Sequence, residues 1–308
     1  MSCLPILLVV PVIGLCSLPL ARRRFRDTTL YPAFWWWGVA ALIMLTAIVV
    51  SMNGRSSGVA DQFWYLSTVL ALCPFVSALG ARRPGRGAWV FFVTIPMLLV
   101  LEWPAISLMV TSEIEEPLVL QAPAVVGLFL VLLMGAGNYL GTRFTLAVIL
   151  FALAEVCFVL SVCELRPESV SPDTLRVVGC VPLLLSIFAV LYAFSTWRCS
   201  KLGIERVWAD FRDSFGVVWS RRVAERFNLM AKRDKLEVRI QNDGIIINGD
   251  SGCSESTIEQ SREEQILRWI LKRFVDEPWL NHRFGHSHET TMQTSSPDVK
   301  NSVDDNST

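Results

Sequence analysis

Residues 197–230 read WRCSKLGIERVWADFRDSFGVVWSRRVAERFNLM, and how this stretch is read decides how the chain divides. Before it, apolar runs alternate with short charged gaps. After it, no run reaches the roughly 20 apolar residues a helix needs to cross a bilayer. Within it, Ile204, Trp208, Phe211, Phe215, Val218, Trp219, Val223, Phe227 and Met230 recur at three- and four-residue steps. That period makes one apolar stripe on a helix over residues 204–230. The flanks carry Arg206, Arg212, Arg221, Arg222 and Arg226 against Glu205, Asp210, Asp213 and Glu225. This near balance differs from the strongly cationic face of a membrane-surface helix.

Charge divides the chain at the same place. The first 197 residues hold 11 of the 28 Lys+Arg and 10 of the 28 Asp+Glu. The remaining third is ordinarily charged. The net charge of zero therefore joins a membrane-like region to a water-soluble one and gives no general case for nucleic-acid binding.

Seven apolar runs precede the stretch, at residues 3–21, 31–52, 62–81, 88–110, 118–140, 144–162 and 177–197. The first has no basic residue before it and is followed by Arg22, Arg23, Arg24 and Arg26. That order predicts an uncleaved helix rather than a signal peptide. With the N-terminus outside, the first three inner gaps hold eight arginines, ending at Arg82, Arg83, Arg86 and Arg143. The outer gaps hold only Arg55, Arg166 and Arg176. This asymmetry follows the positive-inside rule. The expected fold is an all-α integral membrane bundle of about seven transmembrane helices, N-terminus outside and C-terminus cytoplasmic, with a small α+β tail. Residues 1–197 form the bundle. Residues 198–284 form an amphipathic helix, a short hairpin and a second helix. Residues 285–308 are polar and predicted disordered. The hairpin rests on the alternation of Leu236, Val238 and Ile240 before Asn242-Asp243-Gly244 and Ile245. The second helix carries Ile266, Leu267, Ile270, Leu271 and Phe274 and is expected to stop before Pro278.

Glu102 and Glu155 are the acids placed well inside apolar runs. Carboxylates in hydrocarbon face the bundle interior, a partner or water. The pair is either functional, sharing one cavity, or two neutral packing acids. Six of the seven runs contain prolines, and Pro104 stands two residues from Glu102. Gly137 and Gly141 make a GxxxG, for which close helix packing is the default reading. Cys163 and Cys180 flank the longest outer gap, where a disulfide is conceivable.

Several chemistries lack their residues. No CxxC pair stands among the eight cysteines. The three histidines, His282, His286 and His288, all follow the bundle, without the pre-positioned ligand set a metal site needs. The first lysine is Lys201, and no P-loop, GxSxG or HExxH is present. No metal, cofactor or catalytic residue is expected. The leading expectation is a non-catalytic scaffold, assembly or sensor-type membrane protein, placed in a bacterial cytoplasmic membrane. Its contacts would be the lipid bilayer and a cytoplasmic protein partner met through the tail. The alternatives are a small-solute or proton-coupled transporter using Glu102 and Glu155, and, last, a membrane-embedded enzyme. The stripe of Trp208, Phe211, Phe215, Trp219 and Phe227 is expected either to lie on lipid or to pack within the tail, docking it under the bundle and forming a surface for that partner.

Overall fold

The computed structural model describes residues 7–53, 57–84, 86–111, 115–196, 203–241, 244–247 and 256–285. The predicted disorder of the last 24 residues, together with His286 and His288, lies outside them, save for Gly285. The chain is mostly helical with one small sheet. The bundle comprises α1 (Val9–Phe25), α2 (Tyr31–Met52), α3 (Ser57–Leu79), α4 (Arg86–Trp89), a π-helical turn (Val90–Thr94), α5 (Ile95–Leu101), α6 (Trp103–Val110), α7 (Ala122–Gly137), α8 (Thr145–Ser161) and α9 (Pro172–Ser195). The tail comprises α10 (Ile204–Arg233), β1 (Val238–Gln241), β2 (Gly244–Ile247), α11 (Ser256–Leu271) and α12 (Glu277–Phe284). The strands pair antiparallel, Val238 opposite Ile247 and Gln241 opposite Gly244.

Among the described residues, three helices are long and apolar enough to cross a bilayer: Tyr31–Met52, Gly58–Leu79 and Pro172–Ser195. A further apolar pair, Gly87–Leu101 and Trp103–Val110, meets at 59° and is either a broken span or a re-entrant loop. The bend falls at Glu102, between Pro96 and Pro104, each of which removes a backbone donor. Tyr65 donates its hydroxyl to the Leu101 carbonyl there. The apolar runs at 118–140 and 144–162 yield shorter helices, Ala122–Gly137 and Thr145–Ser161. Residues before α7 are extended instead, with the Leu120 N–H donating to Val162 O at 2.7 Å. Residues after α7 turn under the bundle. Large apolar side chains stand exposed around the bundle, among them Phe92, Val110 and Leu133, each more than 70% exposed. Such a continuous apolar surface suits hydrocarbon, not water.

The tail is fastened to one end of the bundle. Its core joins Trp208, Phe211, Phe215, Phe227, Leu271 and Phe274 to Leu30, Ala78 and Ala81 of the bundle. Phe274 O accepts from Thr29 N–H at 2.9 Å, Asp27 O from Asp276 N–H at 2.9 Å, and Arg273 O from Arg83 N–H at 2.9 Å. Arg83 also pairs with Asp276 at 2.7 Å. The second tail helix stops before Pro278, as expected, at Leu271, and Pro278 then helps open a further helix, α12. It stands in the first turn, where its missing N–H has no intrahelical partner to lose.

The helix over 204–230 is not continuous in its geometry. Gly216 takes φ 78°, ψ −179°, a conformation essentially confined to glycine. The break strands the backbone groups around it, and the turn after α7 takes them up. Val217 N–H donates to Asn138 O at 2.7 Å, and Val218 N–H to Asn138 Oδ1 at 3.0 Å. Asn138 Nδ2 donates to Phe215 O at 3.2 Å, and the Tyr139 hydroxyl to Ser214 O at 3.3 Å. A Cβ at residue 216 would collide with the Asn138 side chain and carbonyl. Gly216→Ala and Asn138→Ala should each destabilise the docked tail by roughly 2–4 kcal/mol, from backbone strain in one and orphaned backbone groups in the other. Thermal unfolding followed by tryptophan fluorescence and limited proteolysis after residue 203 read the effect. Unchanged melting and protection in both variants would refute this account of the junction.

Candidate functional site

The junction between tail and bundle gathers more charge than any neighbouring layer of the bundle. Asp210 and Asp213, three residues apart on α10, are among the charges that flank the apolar stripe in the sequence. Both are buried, at 1% and 2% exposure. Asp213 pairs with Arg143 at 2.6 Å and accepts from the Arg143 backbone N–H at 3.3 Å. Asp210 pairs with Arg283 of α12 at 2.6 Å, and that guanidinium lies 3.9 Å from the Trp279 ring centre. Arg24 from α1 and Arg206 are close enough to act on the same charges. Arg24 itself donates to Phe194 O at the end of α9. Residues from both ends of the bundle's sequence and both ends of the tail thus meet in one layer.

Burial dominates the electrostatics of this layer. It pushes the Asp210 carboxyl above the ordinary carboxylate range, against the pull of Arg283, Arg206 and Arg143. Burial likewise lowers Arg283, against the pull of Asp210. Both shifts disfavour the charged form, so desolvation outweighs pairing for this ion pair.

The aromatic stripe lies in the same layer. Trp208, Phe211, Phe215, Trp219 and Phe227 are all buried, at 7% exposure or less. They face protein: Phe274 packs against Phe211, Phe215 and Trp219, and the Trp219 indole donates to Ala78 O at 3.0 Å. Of the two alternatives, the stripe packs within the tail and under the bundle. The residues are enclosed, so they form no open surface for lipid or a partner.

Glu102 and Glu155 do not come together. Glu102 stands at the bend between α5 and α6, beside Leu101 and Ala105, in the core shared by α3, α5 and α7. Glu155 sits between Ala154 and Phe158, in the core shared by α1, α2, α3, α8 and α9, and lines a cavity there that Glu102 does not reach. Each carries one buried oxygen without a hydrogen-bond partner among the described residues. Cys163 and Cys180 are free thiols in separate cores, so no bridge closes the outer gap. Gly137 and Gly141 of the GxxxG have open space where a Cβ would stand. The close approach is at Gly135, where a Cβ would meet Phe75 Cβ at 2.6 Å. His282 is exposed on α12.

Two sets of residues escaped the sequence reading. Asn138 and Gly216 were visible as one amide after small residues and one glycine inside an apolar stripe, but their pairing spans 78 positions. Asp61 and Arg176 form a buried ion pair at the end of the bundle opposite the tail, with Asp173 at 3.2 Å and the Trp64 ring 5.6 Å away. The helix α9 begins at Pro172, which places Arg176 inside it rather than in the preceding gap.

Comparisons with protein-family models, with curated proteins and with solved structures find no match, so geometry and charge carry the functional reading.

The Asp210–Arg283 pair yields a test. Asp210→Ala should cost about 3–5 kcal/mol, because it leaves a buried guanidinium unpaired. The double variant Asp210→Leu/Arg283→Met should range from neutral to about 4 kcal/mol more stable than wild type. A double variant as weak as the single one would show that the pair stabilises the junction outright. The folded carboxyl titrates above its unfolded value, so the stability it contributes is complete below the unfolded value and is lost as pH rises through the folded one. Asp210→Asn should therefore flatten this part of the stability–pH curve in unfolding experiments.

Proposed function

We propose that this protein is a seven-span membrane protein with its N-terminus outside and its tail in the cytoplasm, acting without catalysis as a scaffold or relay. Its tail reports the arrangement of the bundle to a cytoplasmic protein partner. One observation carries this reading: the tail bonds to Asp27 and Thr29, to Ala78 and Arg83, and to Asn138 and Arg143 at once. Those contacts fall in, or within a few residues of, the three arginine-bearing gaps expected inside. Any tilt of α1, α3 or α7 is therefore felt at α10. Asp61, Arg176, Glu115 and Glu116 belong to the ends and gaps expected outside, which agrees with the same sidedness. A bacterial cytoplasmic membrane is the proposed location.

The exposed part of the tail, not its aromatic stripe, would meet the partner. Leu229 and Trp269 are 69% and 48% exposed, with Arg226 and Arg273 each 5.7 Å from the Trp269 ring centre. An accessible tryptophan flanked by arginines suits protein recognition.

A small-solute or proton-coupled carrier is the second reading. The bend at Glu102 favours it, since carriers build ion sites at discontinuous helices. The separation of Glu102 from the cavity at Glu155 weighs against a shared pathway. A membrane-embedded enzyme ranks last.

Two measurements decide. In a cysteine-free background, Arg82→Cys should react with a membrane-impermeant thiol reagent only from the cytoplasmic side, and Glu116→Cys only from outside. The reverse pattern would invert the topology. Proteoliposomes should show no proton flux that Glu102→Gln or Glu155→Gln removes. A flux abolished by either substitution would put the carrier reading first.

A further inference from the structure

Between α1, α2, α3, α8 and α9 the bundle holds a partly open cavity of about 170 Å³. Its wall is apolar apart from four hydroxyls and Glu155. The hydroxyls already donate within the protein: Ser17 to Gly14 O at 2.6 Å, Ser67 to Trp64 O at 2.8 Å, Thr68 to Trp64 O at 3.2 Å and Ser186 to Ala147 O at 2.7 Å. Glu155 differs from them. It is 3% exposed, and its Oε2 is buried with no hydrogen-bond partner among the described residues. A buried carboxyl oxygen without a partner is costly, and such acids mark binding sites more often than they mark indifferent packing.

The cavity has a direction. A second cavity of about 110 Å³ shares Trp37, Phe151, Val190 and Phe194 with it and extends to Asp213 and Ser214 of the tail helix. From Leu183 to Phe194 the wall formed by α9 rises about 16 Å, at about 1.5 Å per residue. The space is long, narrow and greasy, with one unmet acceptor near its outer end. A hydrated polar solute does not suit such a wall. An ammonium head would bring three donors and a charge to a single acceptor.

We propose that this cavity binds a single-chain neutral amphiphile drawn from the bilayer, such as a long-chain alcohol or a monoacylglycerol. Its head hydroxyl donates to Glu155, and its chain lies along α9 toward the tail. The site stands on the cavity and the unpaired acid. It deepens the relay reading by naming a ligand class, and rests on that reading only for its effect on the tail. The chain would fill space walled by Asp213 and Ser214, the residues immediately before the break that Asn138 holds.

The test uses the full chain in nanodiscs and a long-chain alcohol bearing a diazirine and an alkyne. Crosslinks should map to residues 151–158 and 183–191. Glu155→Leu, which removes the acceptor, and Ala71→Phe, which fills the cavity, should each weaken labelling about tenfold or more, while Glu155→Gln, which keeps an acceptor, should retain most of it. The matching alkane should compete about tenfold less well than the alcohol. Equal competition by alkane and alcohol, or wild-type labelling in a Glu155→Leu protein that melts normally, would overturn the proposal. Hydrogen exchange at residues 213–218 separates the two ideas. Saturable labelling without a change in exchange keeps the site and overturns the relay. Absent labelling with a normally docked tail overturns the site and leaves the relay standing.

Discussion

A helix interrupted in its interior leaves backbone donors and acceptors stranded, and in a buried place each must be met by something else. Here one residue meets most of them: Asn138 uses its carbonyl on Val217, its side-chain oxygen on Val218 and its side-chain nitrogen on Phe215, on both sides of Gly216. Once that register is set, the rest of the junction follows. Asp213 comes level with Arg143, the Trp219 indole reaches Ala78, and the Phe211–Phe215 stack meets Phe274. The half of α10 before the break and the half after it therefore belong to different neighbourhoods. The earlier half carries the charged layer with Asp210, and the later half holds the hairpin through Asn228, which exchanges two hydrogen bonds with Ile240.

Charge is distributed by depth. Paired charges close the bundle at both ends, Asp61 with Arg176 away from the tail and Asp213 with Arg143 beneath it. Between them stand two isolated acids. Buried pairs contribute little net stability after desolvation, and their better-attested role is to fix register, since a misplaced partner leaves a bare charge. Asp61 and Arg176 tie the starts of α3 and α9 to one another, which would otherwise be two smooth apolar cylinders free to slide. The middle layer lacks such ties, and that is where the cavities lie.

The helical character of the first part and the apolar stripe of α10 were legible because each is a periodic or compositional signal carried by many residues. The hairpin was legible because alternation precedes Asn242-Asp243-Gly244. Helix ends were legible where a local cap marks them and illegible where a distant residue does. The run over 118–140 looks uniform in hydropathy, yet its two ends are drawn off by Val162 and by α10. Glu102 and Glu155 were visible as acids in hydrocarbon; their separation depends on helix rotation, which one sequence does not encode legibly. The burial of Asp210 was illegible for a related reason: its arginine lies 73 positions away. The role of Phe211-Arg212-Asp213-Ser214-Phe215-Gly216 is architectural.

The shared core of tail and bundle also bears on the order in which the protein can be made. Leu30, Ala78 and Ala81 emerge from the ribosome long before Phe211, Phe215 and Phe274, which cover them. During that interval the ends of α1, α3 and α7 that face the tail lack their cover, and Asn138 has nothing to hold. A chain cut short before residue 204 would keep Leu30, Ala78 and Ala81 without the apolar residues that bury them in the folded protein.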